Sequence, residues 1–353
     1  MNLGKLNYEL ADAYLVLSEH NRRYFTGFHS SYGVFIATKN QKYYLTDSRY
    51  EEACTAHFAK SDVIVRIVSA KEDVFAVYKQ IFDENEVKTL GVEEIIDAQT
   101  FLKLQEIEGV KTVFSGEYFK QLRAIKTAQE IAKITKIMEI SNKAFDKALP
   151  FFKVGMTEKE ICAEINYQLF NLGADGLAFD TIVASGINGT KPHAVPSDKK
   201  IEKGDFITID FGGKLDGYNA DITRTIAVGK ISDEQKEAYK TVLKAQKIGL
   251  SAIKPNVSRE SVDVAVREFF KSQNLDQYFI HSLGHGVGVE IHECPRLAMG
   301  EEELLQENMV ITCEPGIYIP DKFGIRIEDT VVITKDGYKN LASISKELIT
   351  IKA

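Results

Sequence analysis

The 353-residue sequence has no apolar run long enough to cross a membrane, and no Gly-, Ser- or Pro-rich linker or low-complexity segment. Its opening residues, MNLGKLNYELADAYLVL, carry acids and lack the unbroken apolar stretch of a signal peptide. The four cysteines, Cys54, Cys162, Cys294 and Cys313, form no C-x-x-C pair. That argues against a disulfide framework or a thiolate zinc centre and makes a reducing, cytoplasmic location the expectation. Basic residues are not in excess: 44 Lys and Arg stand against 51 Asp and Glu, a formal net charge of −7. Such a balance speaks against nucleic acid or an anionic membrane as partner. With 44% hydrophobic and 27% charged residues, the composition is that of a soluble globular protein, and the length favours two domains.

Patterning puts a boundary near residue 123. In 1–122, AYLVLS, YGVFIAT, KYYLTDS and VIVRIVS read as strands and EDVFAVYKQIFDEN as a helix, an α/β arrangement. In 123–353 two amphipathic helices follow. One runs from Thr127 to Leu149 with Thr127 and Glu130 as a capping box, and the other from Thr157 to Leu172 with Thr157 and Glu160. Without a linker, the domains are expected to pack together rather than swing on a tether.

Five residues of the second part stand out. Asp210 (GDFITIDFGG), Asp221 (GYNADITRT), Glu314 (MVITCEPGIYI) and Glu328 (GIRIEDTVVIT) are acids in apolar strand contexts, and His285 lies in LGHGVGVE. A carboxylate among Ile, Phe and Val is costly to desolvate unless it is paired. Two divalent cations would cancel four such charges, and His285 would add a neutral nitrogen. The pattern predicts a dinuclear metal site and a hydrolase. With no thiolate in the set, manganese, cobalt or iron is favoured over zinc. A weak repeat is visible too: Asp221 follows Asp210 by eleven residues and Glu328 follows Glu314 by fourteen, each pair separated by a glycine-bearing turn. Two hairpins would then place the metals between the halves of a pseudo-symmetric sheet, with the upstream helix pairs over its outer face. Gly284, Gly286 and Gly288 do not make a dinucleotide loop, because the spacing is wrong and no apolar strand precedes them. Room for metal and substrate is the reading preferred for them.

The motifs FDTIVASGINGTKPHAVPSD, GDFITIDFGG, GYNADITRT, HSLGHGVGVEIHECP, EPGIYIP and GIRIEDT resemble, in order and spacing, the pita-bread metallopeptidases. That family contains aminopeptidase P, prolidase and methionine aminopeptidase, with the metal-free creatinases as relatives. YFTGF and LTDSRY in the first part resemble the smaller α/β domain of aminopeptidase P, prolidase and creatinase. The resemblance implies an N-terminal creatinase-like α/β domain and an α+β pita-bread catalytic domain. It implies hydrolysis of the Xaa-Pro bond of short proline-containing peptides, by a dipeptidase (prolidase) or by aminopeptidase P. An inactive peptide-binding module and a creatinase-like amidinohydrolase are the alternatives from other classes, and both lack the full ligand set found here.

Carried over residue by residue, the resemblance makes Asp210, Asp221, His285, Glu314 and Glu328 ligands of two divalent ions, manganese first and cobalt, iron or zinc as alternatives. Glu314 would also act as general base. His193 and His292 would orient the substrate carbonyl and stabilise the oxyanion, and His281 would sit at the pocket rim. Arg326, two residues before Glu328 and so on the same strand face, favours the proline-specific branch and joins the catalytic group. Arg296 (HECPRL) is a candidate fork for the free carboxylate of a dipeptide, which tilts the reading toward prolidase; an exposed arginine without that role is the alternative. The loop 27–33 (GFHSSYG) is expected to reach across a homodimer to the partner's site, with Phe28, His29 and Tyr32 as candidates and His29 as a substrate-binding residue. A loop tip without a catalytic role is the competing expectation.

Overall fold

AYLV and VFIAT are apolar at nearly every position, which suits strands covered on both faces. They form β1 (Ala13–Val16) and β2 (Val34–Thr38), buried throughout. With β3 (Lys42–Thr46), β4 (Val63–Ile67), β5 (Thr89–Val92) and β6 (Lys111–Phe114) they build a six-stranded sheet in the order β4-β3-β2-β1-β5-β6. β1, β2 and β3 pair antiparallel, whereas β4, β5 and β6 join parallel. The helices between them are α1 (Glu19–Thr26), α2 (Glu51–Phe58), α3 (Val74–Glu84) and α4 (Ala98–Gln105), and α5 (Gly116–Ala124) follows β6. This computed structural model describes residues 2–352, and the chain divides into units 1–122 and 123–353.

The loop after α1 departs from its expected exposure. Gly27 takes the left-handed conformation (φ 71°) that closes α1, and the chain turns inward. Phe28 is 8% exposed and packs on Tyr44, His57 and Phe58, with ring centroids 5.3, 5.2 and 5.8 Å away. It belongs to the core of this unit and is not available to a substrate. His29 and Tyr32 are exposed, and His29 Nδ1 lies 3.1 Å from Glu19 of α1.

In the second unit the repeat seen in the sequence is a structural one. Helices α6 (Ala128–Ala148) and α7 (Glu158–Asn171), each opened by its capping box, lead through β7 (Gly176–Leu177) and β8 (Ile182–Ser185) to β9 (Phe206–Phe211). A short hairpin, β10 (Gly213–Leu215) and β11 (Tyr218–Asn219), then precedes β12 (Ile222–Val228). The second half repeats the plan. Helices α8 (Asp233–Ala252) and α9 (Arg259–Ser272) lead through β13 (Gly284–Gly286) and β14 (Glu293–Leu297) to β15 (Val310–Cys313). The hairpin of β16 (Gly316–Ile319) and β17 (Phe323–Arg326) precedes β18 (Asp329–Thr334), β19 (Gly337–Asn340) and β20 (Thr350–Ile351).

The halves are separate sheets rather than one: β20-β12-β9-β8, and β14-β13-β15-β18-β19. Arg224 on β12 pins them together. Its side chain is 1% exposed and its Nη2 lies 2.8 Å from Asp329 on β18; it also donates to the carbonyls of Thr223 and Glu328. No helix among the described residues is long and apolar enough to cross a membrane.

Candidate metal centre

The acids sit where strands end. Asp210 is one residue from the end of β9, opposite Thr223 of β12. Asp221 immediately precedes β12, Glu314 follows β15, and Glu328 lies between β17 and β18. His285 is the middle residue of β13. Asp221, His285 and Glu328 present ligand atoms all within 4.8 Å of one another. His285 Nε2 is 3.4 Å from Asp221 Oδ2 and 3.2 Å from Glu314 Oε1.

The surroundings orient these groups. His285 Nδ1 is 3.1 Å from the Gly286 carbonyl, which can only accept, so Nδ1 donates there and Nε2 is the ring nitrogen turned toward the acids. Thr312 Oγ1 donates to Glu314 Oε1 at 3.2 Å and accepts from the His285 amide at 3.0 Å. Thr223 Oγ1 donates to Glu328 Oε2 at 2.7 Å. Arg326 Nη2 donates to Asp210 Oδ2 at 2.7 Å. Two carboxylate oxygens, Asp210 Oδ1 and Glu328 Oε1, are buried without a hydrogen-bond partner among the described residues. Buried polar atoms are seldom left so. Orphaned oxygens inside a cluster of acids, next to an imidazole nitrogen, fit hard divalent cations.

The electrostatics point the same way. Burial first, then the charges of Glu328, Asp210 and Glu314, pushes Asp221 well above the usual carboxylate range. Glu328 is raised likewise, by burial and then by Glu314 and Asp210. Glu314 moves the other way. Burial would raise it, but the hydrogen bond and charge of His285 bring it down to about 2. Asp221 and Glu328 therefore resist ionising in this cluster unless positive charge is added to it.

The histidines and arginines divide by exposure. His292 is exposed, and its ring stands edge-on to His285 with centroids 4.4 Å apart. Burial and the neighbouring His285 hold it below the usual imidazole range. His193 is exposed on the loop between β8 and β9 and is close enough to act electrostatically on both His281 and His292. His281, expected at the rim, is half-buried with both ring nitrogens engaged, 2.8 Å from the Ser282 carbonyl and 3.1 Å from the Tyr318 hydroxyl. Arg326, expected among the catalytic groups, is 4% exposed. Its donors go to Asp210, the Tyr318 hydroxyl (2.7 Å), the Pro192 carbonyl (3.2 Å) and Thr223 (3.2 Å). All of these donors are thus taken up by protein partners. Arg296 pairs in register with His285 across β13 and β14, which puts both side chains on one sheet face. It is exposed. His29 belongs to the first unit, on the loop after α1.

Several contributors escaped the sequence reading. Thr223, Thr312 and Tyr318 are ordinary strand residues until the sheets meet. Glu293 is buried between Lys126 Nζ at 2.7 Å and Arg123 Nε at 3.4 Å, and so fixes the start of the strand that carries Arg296. The glycines of GHGVG make room for protein rather than for metal and substrate. A Cβ at Gly284 would lie 2.2 Å from the Thr312 carbonyl oxygen, at Gly286 2.4 Å from that of Cys294, and at Gly288 2.1 Å from Glu293.

The sequence profile of metallopeptidase family M24 matches residues 132–335, and that of the creatinase/prolidase N-terminal domain matches residues 4–125. The chain is 39% identical over 343 residues to the Xaa-Pro dipeptidase of Pyrococcus furiosus, covering 96% of this chain and 95% of that protein. Among solved structures, the Xaa-Pro dipeptidase from Bacillus anthracis gives a TM-score of 0.92 at 35% identity, over 97% of this chain and 95% of the other. The X-Pro aminopeptidase from Thermotoga maritima gives 0.89 at 37% identity, over 97% and 98%.

Proposed function

This chain belongs to metallopeptidase family M24, and from that premise we propose that it hydrolyses the Xaa-Pro bond of short peptides as a dinuclear-metal exopeptidase, with dipeptides preferred and manganese the favoured ion. The observation that supports the dipeptide preference is the placement of Arg296. It is exposed beside the ligand His285 and makes no ion pair among the described residues, so its guanidinium is open to a carboxylate. An Xaa-Pro dipeptide carries its free carboxylate one residue beyond the cut. A longer peptide does not.

Asp210, Asp221, His285, Glu314 and Glu328 would hold the ions. Two divalent cations held there would polarise a carbonyl and acidify bound water. Glu314 would serve as the general base that takes the proton of the attacking water, and its Oε1 is steadied by Thr312. His292 and His193, both exposed, would serve as donors toward the carbonyl oxygen as charge builds on it. Arg326 aims the Asp210 carboxylate through its 2.7 Å ion pair. The same reading includes a homodimer, in which the exposed His29 and Tyr32 reach a partner's site. A fully active monomer on sedimentation would remove that part.

The test compares manganese-loaded protein on Ala-Pro and Ala-Pro-Ala. The dipeptide is expected to be cleaved faster, and Arg296→Ala to weaken its cleavage by about 2–3 kcal/mol, the scale for losing one partner of a desolvated charge pair. The tripeptide should be spared. Equal losses on both lengths would favour the aminopeptidase activity borne by the Thermotoga maritima neighbour, and no cleavage of either would overturn the Xaa-Pro reading.

A further inference from the structure

Glu158, the first residue of α7, is 0% exposed, yet no Lys, Arg or His pairs with it among the described residues. Burying a lone carboxylate costs several kcal/mol unless hydrogen bonds satisfy it. Here they do. Oε1 accepts from the Ser185 amide (2.6 Å) and hydroxyl (2.8 Å), and Oε2 from the Ser197 amide (3.0 Å) and hydroxyl (2.6 Å). Asn188 Nδ2 reaches both oxygens at 3.2 Å. Helix capping does not explain this. Thr157 caps α7 and Glu160 completes the box, so the helix start is already satisfied without Glu158.

What Glu158 does is close a loop. Ser185 ends β8, and Ser197 lies twelve residues on; between them runs GINGTKPHAVP, with His193 in it. The same loop is fixed at two further points. Arg326, whose other nitrogen holds Asp210, donates to the Pro192 carbonyl at 3.2 Å. Gly189 rests against Gly324 of β17 so tightly that a Cβ on Gly324 would fall 1.8 Å from the Gly189 oxygen. The position of His193 is thus set by its backbone.

We propose, resting on the reading above that His193 serves the reaction, that Glu158 is a positioning residue: its carboxylate gathers Ser185, Asn188 and Ser197 so that the loop presents His193 to the metal centre. Only an acceptor suits the place. Two amides, two hydroxyls and one side-chain amide all donate toward it, and a glutamine would turn an NH2 group against donors.

The test is a double-mutant cycle on manganese-loaded protein with Ala-Pro. Glu158→Gln should keep two ions per chain and lower kcat by about 10–100-fold, the scale for removing an outer partner of a metal site. In a His193→Ala background the same change should cost nothing further, because the group it positions is gone. Equal losses in both backgrounds, or loss of metal, would overturn the proposal. If Glu158→Gln does not fold, Ser197→Ala takes its place, with a smaller loss and the same required dependence on His193. Proton NMR of zinc-loaded protein supplies a readout that needs no substrate. The His193 ring resonance, identified by its absence in His193→Ala, should shift or broaden in the Glu158 or Ser197 variant, and an unmoved resonance would sink the idea. A wild-type protein that cleaves no Xaa-Pro peptide would fail the substrate reading instead, and the NMR result would still decide the role of Glu158.

Discussion

The two halves of the catalytic unit share a plan but not a way of holding their ligands. In the half built on β9 and β12, both acids lean on the other half: Arg326 holds the Asp210 carboxylate, and Thr330 donates to the Asp221 carbonyl at 2.7 Å. In the half built on β15 and β18, His285 and Glu314 are steadied locally by Gly286 and Thr312, and only Glu328 depends on the other side, through Thr223. The support is therefore asymmetric. One half carries His285 and Glu314, and the other supplies two acids that the first must fix. Neither sheet alone forms the five-residue cluster, which ties metal affinity to the packing between them.

The sharpest way to break that comparison is to remove one ligand from each half. Asp221→Ala and Glu314→Ala should each lose at least one ion and all measurable hydrolysis, because the remaining ligands cannot bridge two cations. Elemental analysis of both variants beside wild type checks it. If Asp221→Ala kept both ions, the β9–β12 half would be dispensable for binding. An active wild-type protein without divalent metal would sink the mechanism itself.

A smaller effect tests the cross-bracing. Arg326→Ala leaves the partly buried Asp210 without its counter-charge, a change below the about 3–5 kcal/mol of breaking a fully buried pair, and metal affinity should fall about 10–100-fold. Thr223→Val removes one hydroxyl and deprives Glu328 of a hydrogen bond to a charged group, about 1.5–3 kcal/mol. Because Thr223 Oγ1 also accepts from Arg326 Nε, the double variant should cost less than the sum. Calorimetric titration with manganese ranks the three. A Thr223 effect exceeding that of Arg326 would reverse the direction of support described here.

Much of this was legible in the sequence, and what was not has a physical reason. Acids flanked by Ile, Phe and Val announce burial, and the capping boxes at Thr127 and Thr157 announce helix starts, because both signals are local. Strand alternation likewise put Arg326 and Glu328 on one face, and both meet Thr223 Oγ1. The partners themselves were not legible. Arg326 reaches Asp210 across 116 residues and Thr223 reaches Glu328 across 105, and periodicity gives a face but never a partner. Glu158 looked like any helix-start acid until Ser185 and Ser197 closed on it. Phe28 failed for another reason. Glycine and serine mark a turn, but the αL cap at Gly27 aims the next side chain inward, and composition does not record that direction.

The smallest expected effect concerns charge rather than contacts. Asp221 is pushed well above the usual carboxylate range, by burial first and then by its acidic neighbours. Its folded pKa therefore lies above the unfolded value of about 3.9, and the folded state binds that proton more tightly. The associated stability is full below the unfolded pKa and is lost as pH rises through the folded one. In chelator-treated protein, Asp221→Asn should then raise the melting temperature at pH 8, by about 2–4 °C per kcal/mol relieved, and the gain should vanish toward pH 4. Glu328→Gln should gain less, since its hydrogen bond from Thr223 partly offsets the same repulsion. Restoring manganese should reverse the sign for both, because wild type binds the ions and the variants have lost a ligand. Melting curves across pH, with and without metal, carry the test; a variant gain that is flat from pH 4 to 8 would mean that the crowding of carboxylates does not set the stability of the metal-free site.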